Sequence, residues 1–256
     1  MTDVEPRLTL HTAAERPDLW ERGIPSEDVW PEYNMHGDVV NQWWGLLDEE
    51  MGDYQFVLYD EAADVVVAEG HTAPLRWDGD DAHLPDSFDA TIVQAFAQRR
   101  AGEPADTLCA LAAESPRDGR RRGLAVQLLN GMAEIGARHR LQRFVAPVRP
   151  SWKERYPLTP IERYVGWRRD DGELLDPWMR VHERLGARVA TPLPRSLHIS
   201  GTVADWESWT AMTFPESGEY VFPEGLAPLR IDREADLGDY WEPNVWMVHP
   251  ELPPGP

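Results

Sequence analysis

The segment from Thr107 to Arg138 constrains the fold more than any other part of the chain. It opens with an apolar run, Leu108 to Ala113, which is short, uncharged and bounded by turn-forming residues, as is typical of a buried strand. A basic, glycine-containing loop follows and ends at Gly123. Apolar side chains then recur on one helical face, at Leu124, Leu128, Met132 and Ile135. The order is therefore strand, basic loop, helix.

The loop and the helix start together predict an anion-binding site. The first amide N–H groups of a helix have no partners within it, and the helix dipole places partial positive charge there. Glycine lets a ligand approach the backbone closely. Diphosphate is a natural ligand for such a site. Positive charge in an otherwise acidic chain comes from four arginines: Arg117, Arg120, Arg121 and Arg122.

The loop contains the pattern Arg120-x-x-Gly123-x-Ala125. Placed between an apolar strand and an amphipathic helix, it resembles the acyl-CoA diphosphate-binding signature Q/R-x-x-G-x-G/A of the GNAT superfamily of N-acyltransferases. The alternative is a solvated arginine run beside an ordinary helix. The resemblance implies acetyl-CoA, or another acyl-CoA, as the cofactor. It also implies cofactor contacts along the strand end, the loop and the helix start: Leu111, Ala112, Ala113, Arg117, Gly119, Arg120, Arg121, Arg122, Gly123, Leu124 and Ala125.

The resemblance is concentrated in residues 107–190 and implies an α/β (α+β) fold. Its core is a GNAT-like central mixed, mostly antiparallel sheet of about seven strands flanked by helices. Alternating apolar residues predict a hairpin of Tyr54–Tyr59 with Val65–Leu75. Helical spacing predicts helices over Asp38–Met51 and over Ser87–Arg100, with Ser87 as the cap of the second.

The C-terminal half is predicted to complete the same sheet. Phe144–Val148 follows the central helix as a parallel strand reached by a right-handed crossover. An aromatic-rich insertion, Pro150–Asp176, precedes the fourth core helix, whose buried stripe is predicted as Trp178, Val181 and Leu185. Trp241–His249 is predicted as a final edge strand. Because the chain contains no long linker, we expect a single domain spanning residues 1–256.

Composition excludes several classes of partner. The formal net charge is −20, from 45 acidic and 25 basic residues, which argues against nucleic acid and favours cationic small molecules or basic peptides. The single cysteine, Cys109, allows no intrachain disulfide. No apolar run approaches the length of a membrane span, and the N-terminus has no signal-peptide pattern, so the cytoplasm is the expected location. Nearly all basic residues are arginine, as in GC-rich, bacterial genomes. The oligomeric state stays open, and a dimer is compatible with the sequence.

Glu114 is the candidate general base. Acyl transfer from a thioester to an amine needs a group that accepts the amine proton, whereas positioning of the two substrates replaces a nucleophilic residue. A partly buried carboxylate at the end of the central strand has a raised pKa suited to this task. The alternative role is pairing with a nearby arginine, and three other carboxylates compete with Glu114: Asp38, Glu69 and Asp205.

His182 is the candidate general acid for the departing thiolate. The segment from His182 to Ala187 resembles the GNAT element Tyr-x-x-x-Gly-Phe, with histidine in place of tyrosine and alanine in place of the aromatic residue. Imidazole can protonate a thiolate at neutral pH. The alternative is a structural helix histidine, and Tyr156 and Tyr164 are alternative acids if the insertion folds over the cleft.

Aromatic residues are candidates for lining the acceptor cleft. The resemblance places the first helices at its border, which suggests Trp30, Tyr33 and Trp43, with core packing as the alternative. Tyr156, Tyr164 and Trp167 give the insertion a lid or wall role, with a packed surface loop as the alternative. No phosphate-binding P-loop, nucleophile elbow or zinc-ligand spacing is present, so no metal is expected.

Two functions follow from these observations. The first is an acyl-CoA-dependent N-acetyltransferase acting on a small-molecule or peptide amine by direct attack in a ternary complex. The second is a catalytically silent CoA-binding or partner-interaction module on the same scaffold. The intact Arg120-x-x-Gly123-x-Ala125 loop favours the first, whereas the missing tyrosine, and the lack of an asparagine where many family members have one, favour the second.

Overall fold

A computed structural model describes residues 8–26, 29–116 and 123–255 of the chain. The strands are β1 (Leu8–Thr12), β2 (Gln55–Asp60), β3 (Val65–Leu75), β4 (Thr107–Glu114), β5 (Arg143–Val148), β6 (Arg188–Gly201), β7 (Gly218–Tyr220), β8 (Leu229–Asp232) and β9 (Leu237–Val248). The helices are α1 (Pro17–Arg22), α2 (Leu47–Met51), α3 (Phe88–Arg100), α4 (Leu124–Arg138), α5 (Ile161–Tyr164), α6 (Pro177–Arg184) and α7 (Val203–Thr210).

Within the described residues, nine strands form one mixed sheet in the order β1-β2-β3-β4-β5-β9-β8-β7, and β6 pairs with β9. The β4–β5 pair is parallel and every other described pair is antiparallel. The predicted fold class is confirmed. The sheet has nine strands rather than about seven because residues between β6 and β9 add two short strands, β7 and β8.

The local predictions around the central segment are confirmed. The β2–β3 hairpin forms, and the Ser87 hydroxyl accepts a 2.9 Å hydrogen bond from the Ala90 amide at the start of α3. Helix α4 spans Leu124–Arg138, and its predicted apolar face is buried against β3 and β4. The strand β5 lies parallel to β4, as the helical crossover predicts.

The helix predicted over Asp38–Met51 is wrong. The segment consists of two 3₁₀ turns, Val40–Gln42 and Trp44–Leu46, followed by the short helix α2. Its start is held to β6 instead, because the Asp38 amide donates to the His198 carbonyl and the Asp38 carboxylate accepts from the Ser200 amide. Valine and glycine within the segment also have low helix propensity.

Two predictions about the C-terminal half need correction. β9 is not an edge strand, because β5 pairs along one of its sides and β6 along the other. The buried residues of α6 are Met179 and His182, whereas Trp178 and Val181 lie at the wall of a cavity. Its N-terminal cap is confirmed, since Asp176 accepts hydrogen bonds from the first amides of the helix. None of the helices in the described ranges is long and apolar enough to cross a membrane.

Candidate active site

The parallel strands β4 and β5 separate part-way along their length. They pair only where Thr107–Cys109 lies beside Arg143–Val145. Beyond that point, β5 continues its pairing with β9 up to Val148, whereas the facing edge of β4 has no strand neighbour in the described structure. The β3–β4 register also skips Leu111, since His71 pairs with Ala112 and Thr72 with Ala110. This β-bulge and the free strand edge leave backbone groups for a ligand.

A cavity of about 930 Å³ lies in this gap. Its wall includes β4 from Ala110 to Glu114, the start of α4, the end of β5 and the first turns of α6. Among the predicted cofactor contacts, Leu111, Ala112, Ala113, Gly123, Leu124 and Ala125 line it. The small alanine side chains of β4 let a ligand come close to the strand backbone. The remaining predicted contacts, Arg117, Gly119, Arg120, Arg121 and Arg122, lie outside the described residues.

Helix α4 opens toward this cavity with a glycine cap. Gly123 has φ 88° and ψ −6°, a left-handed conformation that favours glycine. A Cβ at this position would meet no atom within 4 Å, so the conformation, and not a lack of space, selects the residue. The carbonyl of Gly123 accepts hydrogen bonds from the amides of Val126 and Gln127. The first amides of the helix have no side-chain acceptor in the described chain, so they are available to a ligand.

Glu114 belongs to a cluster with Glu69 and His71 at the cavity wall. Glu69 and Glu114 are directly opposite on β3 and β4, and both side chains are mostly buried. Nε2 of His71 lies 3.8 Å from a Glu69 carboxylate oxygen and 3.7 Å from one of Glu114, longer than hydrogen bonds. The ligand atoms of the three residues lie within 4.8 Å of one another, which is a spacing that can hold a metal ion.

Burial dominates the electrostatics of this cluster. It raises the pKa of Glu114, which the hydrogen bond from Trp30 partly offsets. It also raises the pKa of Glu69, and the facing charge of Glu114 adds to that increase. For His71, burial lowers the pKa to about 4, so the imidazole is neutral at pH 7. The cluster therefore offers carboxylates poised to accept a proton next to a neutral ring.

Sequence reasoning gave His71 no role and Glu69 only that of a competitor. The two alternate on β3, so they share one face of the strand, and the β3–β4 register brings them to Glu114. The signal in the sequence was the spacing of these two residues, which are the ionisable side chains of β3 and lie two positions apart. The other competitors lie elsewhere: Asp38 binds His198 and the Ser200 amide, and Asp205 completes the capping box of α7.

His182 lines the same cavity, at the buried side of α6. Its Nδ1 lies 2.8 Å from Nε2 of His249, and its Nε2 is enclosed with no hydrogen-bond partner among the described residues. Burial lowers the pKa of His182 well below its ordinary value, and it lowers that of His249 to about 4. The two rings therefore form a neutral hydrogen-bonded pair.

Of the six aromatic residues predicted to line the cleft, Trp30 does so, and its indole Nε1 donates a 2.8 Å hydrogen bond to Glu114. The other five pack elsewhere. Tyr33 is buried against Trp206, Phe222 and Tyr240, and Trp43 packs on Phe96. Tyr156, Tyr164 and Trp167 contact one another within the insertion, which reaches the cavity through Ser151 and Glu154 instead.

A second polar group at the cavity wall has no counterpart in the sequence predictions. Arg149 forms a 2.8 Å ion pair with Glu242, which is 1 % exposed. Glu242 also accepts from the Tyr33 hydroxyl and from the Asn34 amide, both at 2.9 Å. Asn244, two residues along β9, lines the cavity as well. Arg149 and Glu242 are 93 positions apart, so no local pattern indicated their pairing.

Known proteins provide an independent comparison. No protein-family profile matches the chain. The arginine N-acetyltransferase avaD of Aspergillus versicolor is 29 % identical over 276 aligned residues, which cover 96 % of this chain and 94 % of that protein. The loading GNATL domain of CurA from Lyngbya majuscula has a similar structure, with a TM-score of 0.58 at 17 % identity, over 95 % of this chain and 98 % of that one. The GphF GNAT-like decarboxylase in complex with isobutyryl-CoA has a TM-score of 0.49 at 17 % identity, over 95 % and 98 % of the two chains.

The likenesses to avaD and to the CurA domain agree with the geometry. The CurA domain shares the overall fold, and avaD shares sequence over almost the full length of both chains. The cavity between β4 and β5 lies beside the strand end and the glycine-capped helix start, where the resemblance of the Arg120-x-x-Gly123-x-Ala125 loop implies the cofactor contacts. The chain therefore resembles a GNAT-like domain in its fold and an N-acetyltransferase in its sequence.

Proposed function

We propose that the protein is an N-acetyltransferase that transfers the acetyl group of acetyl-CoA to a primary amine of a small molecule, by direct attack in a ternary complex. The gap between β4 and β5 carries this proposal, because it joins an anion-binding helix start to buried carboxylates within one cavity. The name of avaD makes arginine the first acceptor to test. The cytoplasm stays the predicted location.

The chain's own residues suit a CoA thioester. The amides at the start of α4 and the predicted arginine loop bind the diphosphate. The free edge of β4 at Leu111, Ala112 and Ala113 binds the extended pantetheine arm as an added strand would be bound. The thioester supplies an activated acyl group and a thiolate leaving group. Backbone N–H groups near the Leu111 bulge polarise its carbonyl.

The carboxylate cluster accepts the amine proton. An ammonium group is not nucleophilic, so the acceptor must lose a proton before or during attack. Burial raises the pKa of Glu114, which lies at the cavity wall, so its carboxylate is a stronger base than an exposed one. Glu69 and the neutral His71 ring hold it in a low-dielectric environment without a neutralising arginine in the described chain. This arrangement keeps Glu114 basic.

His182 acts at the leaving group as a neutral imidazole. Since its pKa is lowered, it does not carry a spare proton at pH 7. Its contribution is an N–H directed by the hydrogen bond with His249, which stabilises the developing thiolate once a substrate repacks the wall. Solvent then completes the protonation of the thiol.

Thiol release separates this function from the silent binding module. The protein is mixed with acetyl-CoA and a panel of amines that includes L-arginine, and free thiol is measured over time. Turnover with at least one amine supports the proposal. A thermal-shift increase with acetyl-CoA but no turnover with any amine would support the binding module.

A further inference from the structure

One nitrogen of Arg149 is left available at the cavity wall. Nε donates to Glu242, and Nη2 donates to the Tyr33 hydroxyl at 2.9 Å and to the Glu224 carbonyl at 3.1 Å. Nη1 donates none of the hydrogen bonds made within the described ranges, and the side chain is 18 % exposed. Burial alone lowers the pKa of Arg149, but Glu242 outweighs that and raises it well above its ordinary value. Arg149 is therefore a rigid, permanent cation, and its Nη1 N–H groups have no acceptor among the residues that the structure describes.

Asn244 lies near Arg149 in the sheet. Val148 pairs with Val245 as the last pair of the antiparallel β5–β9 ladder, and Arg149 and Asn244 are the residues that follow it on the two chain segments. Both residues line the cavity. Nδ2 of Asn244 donates a 3.0 Å hydrogen bond to the Pro147 carbonyl, which fixes the orientation of the amide because the reverse would place two acceptors together.

The other atom of this amide needs a donor. Oδ1 of Asn244 is buried and has no hydrogen-bond partner in the part of the chain that the structure describes, and the residue is only 5 % exposed. A buried acceptor without a donor is unfavourable, so a ligand N–H that reaches it gains affinity. The same cavity wall thus presents the N–H donors of a fixed cation and a buried acceptor oxygen, each one residue beyond the last β5–β9 pair.

We propose that Arg149 and Asn244 form an amino-acid subsite, in which Nη1 of Arg149 binds the carboxylate and Oδ1 of Asn244 accepts from the adjoining amino group. Charge-assisted bonds between arginine and carboxylate are among the strongest hydrogen bonds in proteins. The acceptor is then an α-amino acid rather than a simple amine. Glu154 lines the same cavity and adds negative charge suited to a cationic side chain. This inference rests on the proposed acetyltransfer.

The proposed amino-acid subsite is tested in the unaltered protein with acceptors that differ only at the carboxylate. L-Arginine, L-argininamide and agmatine are compared at saturating acetyl-CoA. We expect kcat/KM for L-arginine to exceed that for agmatine at least tenfold, with L-argininamide closer to agmatine. Values for L-arginine and agmatine within threefold of each other would overturn this inference alone. Absence of turnover with every amine would overturn the proposed function and this inference with it.

Substitution then locates the effect. Arg149→Lys keeps a positive charge beside Glu242 but loses the planar fork, so the ratio of kcat/KM between L-arginine and agmatine should fall at least fivefold. Asn244→Leu should raise KM for L-arginine. Arg188→Lys, in an exposed ion pair with Asp81 away from the cavity, is the matched control and should keep the wild-type ratio.

The KM for acetyl-CoA shows whether Arg149 and Asn244 bind the acyl donor instead of the acceptor. If either Arg149→Lys or Asn244→Leu raises KM for acetyl-CoA while the acceptor ratio stays at the wild-type value, the pair serves the donor and the proposal is overturned. Because Arg149 is part of a buried network, folding of each variant is checked by circular dichroism. If a variant does not fold, the comparison of acceptors in the unaltered protein decides the question.

Discussion

The indole Nε1 of Trp30 donates a 2.8 Å hydrogen bond to Oε1 of Glu114, across 84 positions of sequence. It joins the irregular segment before β2 to the end of the central strand. Burial raises the pKa of Glu114. The hydrogen bond from Trp30 favours the charged carboxylate and lowers the pKa, but by less than burial raises it. The two opposing effects together set the pH at which the candidate base becomes active.

Replacing the carboxylate should impair catalysis. We expect Glu114→Gln to lower kcat/KM for the amine at least tenfold, because general-base catalysis contributes roughly 10²–10⁴-fold. The dissociation constant for acetyl-CoA, measured by calorimetry, should change little. Glu134→Gln, in an exposed ion pair with Arg138 on α4, is the control. Equal activity of Glu114→Gln and wild type would exclude Glu114 as the base.

Removing the indole donor should shift the pH profile. In Trp30→Phe the hydrogen bond that lowers the pKa of Glu114 is lost, so its pKa rises. Since the base works only when deprotonated, the acid limb of kcat/KM against pH should move to higher pH. Trp209→Phe, at a ring that stacks on His36 and does not line the cavity, should leave the limb in place. A downward or absent shift in Trp30→Phe would contradict the assignment.

The central segment was predictable because its signals are local. Helix α4 begins at Leu124, the first residue of its apolar face, and continues three residues beyond Ile135, the last. Ser87 caps α3, as its position before the apolar repeat predicts. The three residues before Glu114 line the cavity because strand, loop and helix follow one another directly in sequence. Local periodicity specifies such elements without knowledge of their partners.

The remaining parts of the site depend on long-range pairing. His71 reaches Glu114 through the β3–β4 register, and Arg149 meets Glu242 because β9 returns between β5 and β6. Aromatic residues were misplaced for the same reason. Tyr33 is an aromatic residue of the type that lines clefts, but the rings of Phe222 and Tyr240, from the C-terminal part of the chain, pack over it. Composition gives no information about which segment packs over which side chain.

The neutral histidine pair should make stability depend on pH. In the folded protein burial lowers the pKa of His182, and that of His249 to about 4, whereas both protonate near 6.5 when unfolded. Their stabilising contribution is therefore complete above pH 6.5 and is lost as pH falls toward 4. His182→Phe should reduce the slope of the unfolding free energy in this window by up to about 1.4 kcal/mol per pH unit.

Denaturant unfolding at pH 7, 6 and 5 measures this slope. His83→Gln is a control of opposite sign, because Asp78 raises the pKa of the exposed His83. The stabilisation from His83 is present at low pH and is lost as pH rises. Its removal should therefore make stability fall more steeply on acidification. Identical slopes for wild type and His182→Phe would contradict a neutral buried pair.

The left-handed glycine at the start of α4 should be needed for donor binding. Gly123→Ala introduces roughly 1–2 kcal/mol of backbone strain without any steric contact, because no atom lies within 4 Å of the added Cβ. The helix start should relax and its amides should lose their alignment, so the dissociation constant for acetyl-CoA should rise several-fold. Gly102→Ala is the matched control, because Gly102, after α3, also has a positive φ (69°) and no atom within 4 Å of an added Cβ, so the backbone strain is similar. If both variants weaken acetyl-CoA binding equally, Gly123 has no specific role.

The single lysine of the chain should hold the insertion in place. Lys153 is 1 % exposed, and its Nζ donates to the carbonyls of Tyr156 and Leu226 at 2.8 and 2.6 Å. Burial lowers the pKa of Lys153 to about 8, so it is still protonated at pH 7 and keeps all three of its N–H donors. Lys153→Met fills similar space but leaves the buried Leu226 carbonyl without its donor, at a cost of about 1–3 kcal/mol, whereas the Tyr156 carbonyl still accepts from the Thr159 amide.

Chemical unfolding at pH 7 should therefore show Lys153→Met to be less stable than wild type by about 1–3 kcal/mol. The neighbouring Arg155, whose exposed guanidinium lies over the Trp152 ring, provides the control. Arg155→Gln should stay within about 1 kcal/mol of wild type. Because Leu226 lies in the segment between β7 and β8, loss of the lysine also releases the insertion from the C-terminal part of the sheet. Limited proteolysis should then cut Lys153→Met within residues 155–175 earlier than wild type, and equal cleavage rates would show that the aromatic contacts alone hold the insertion.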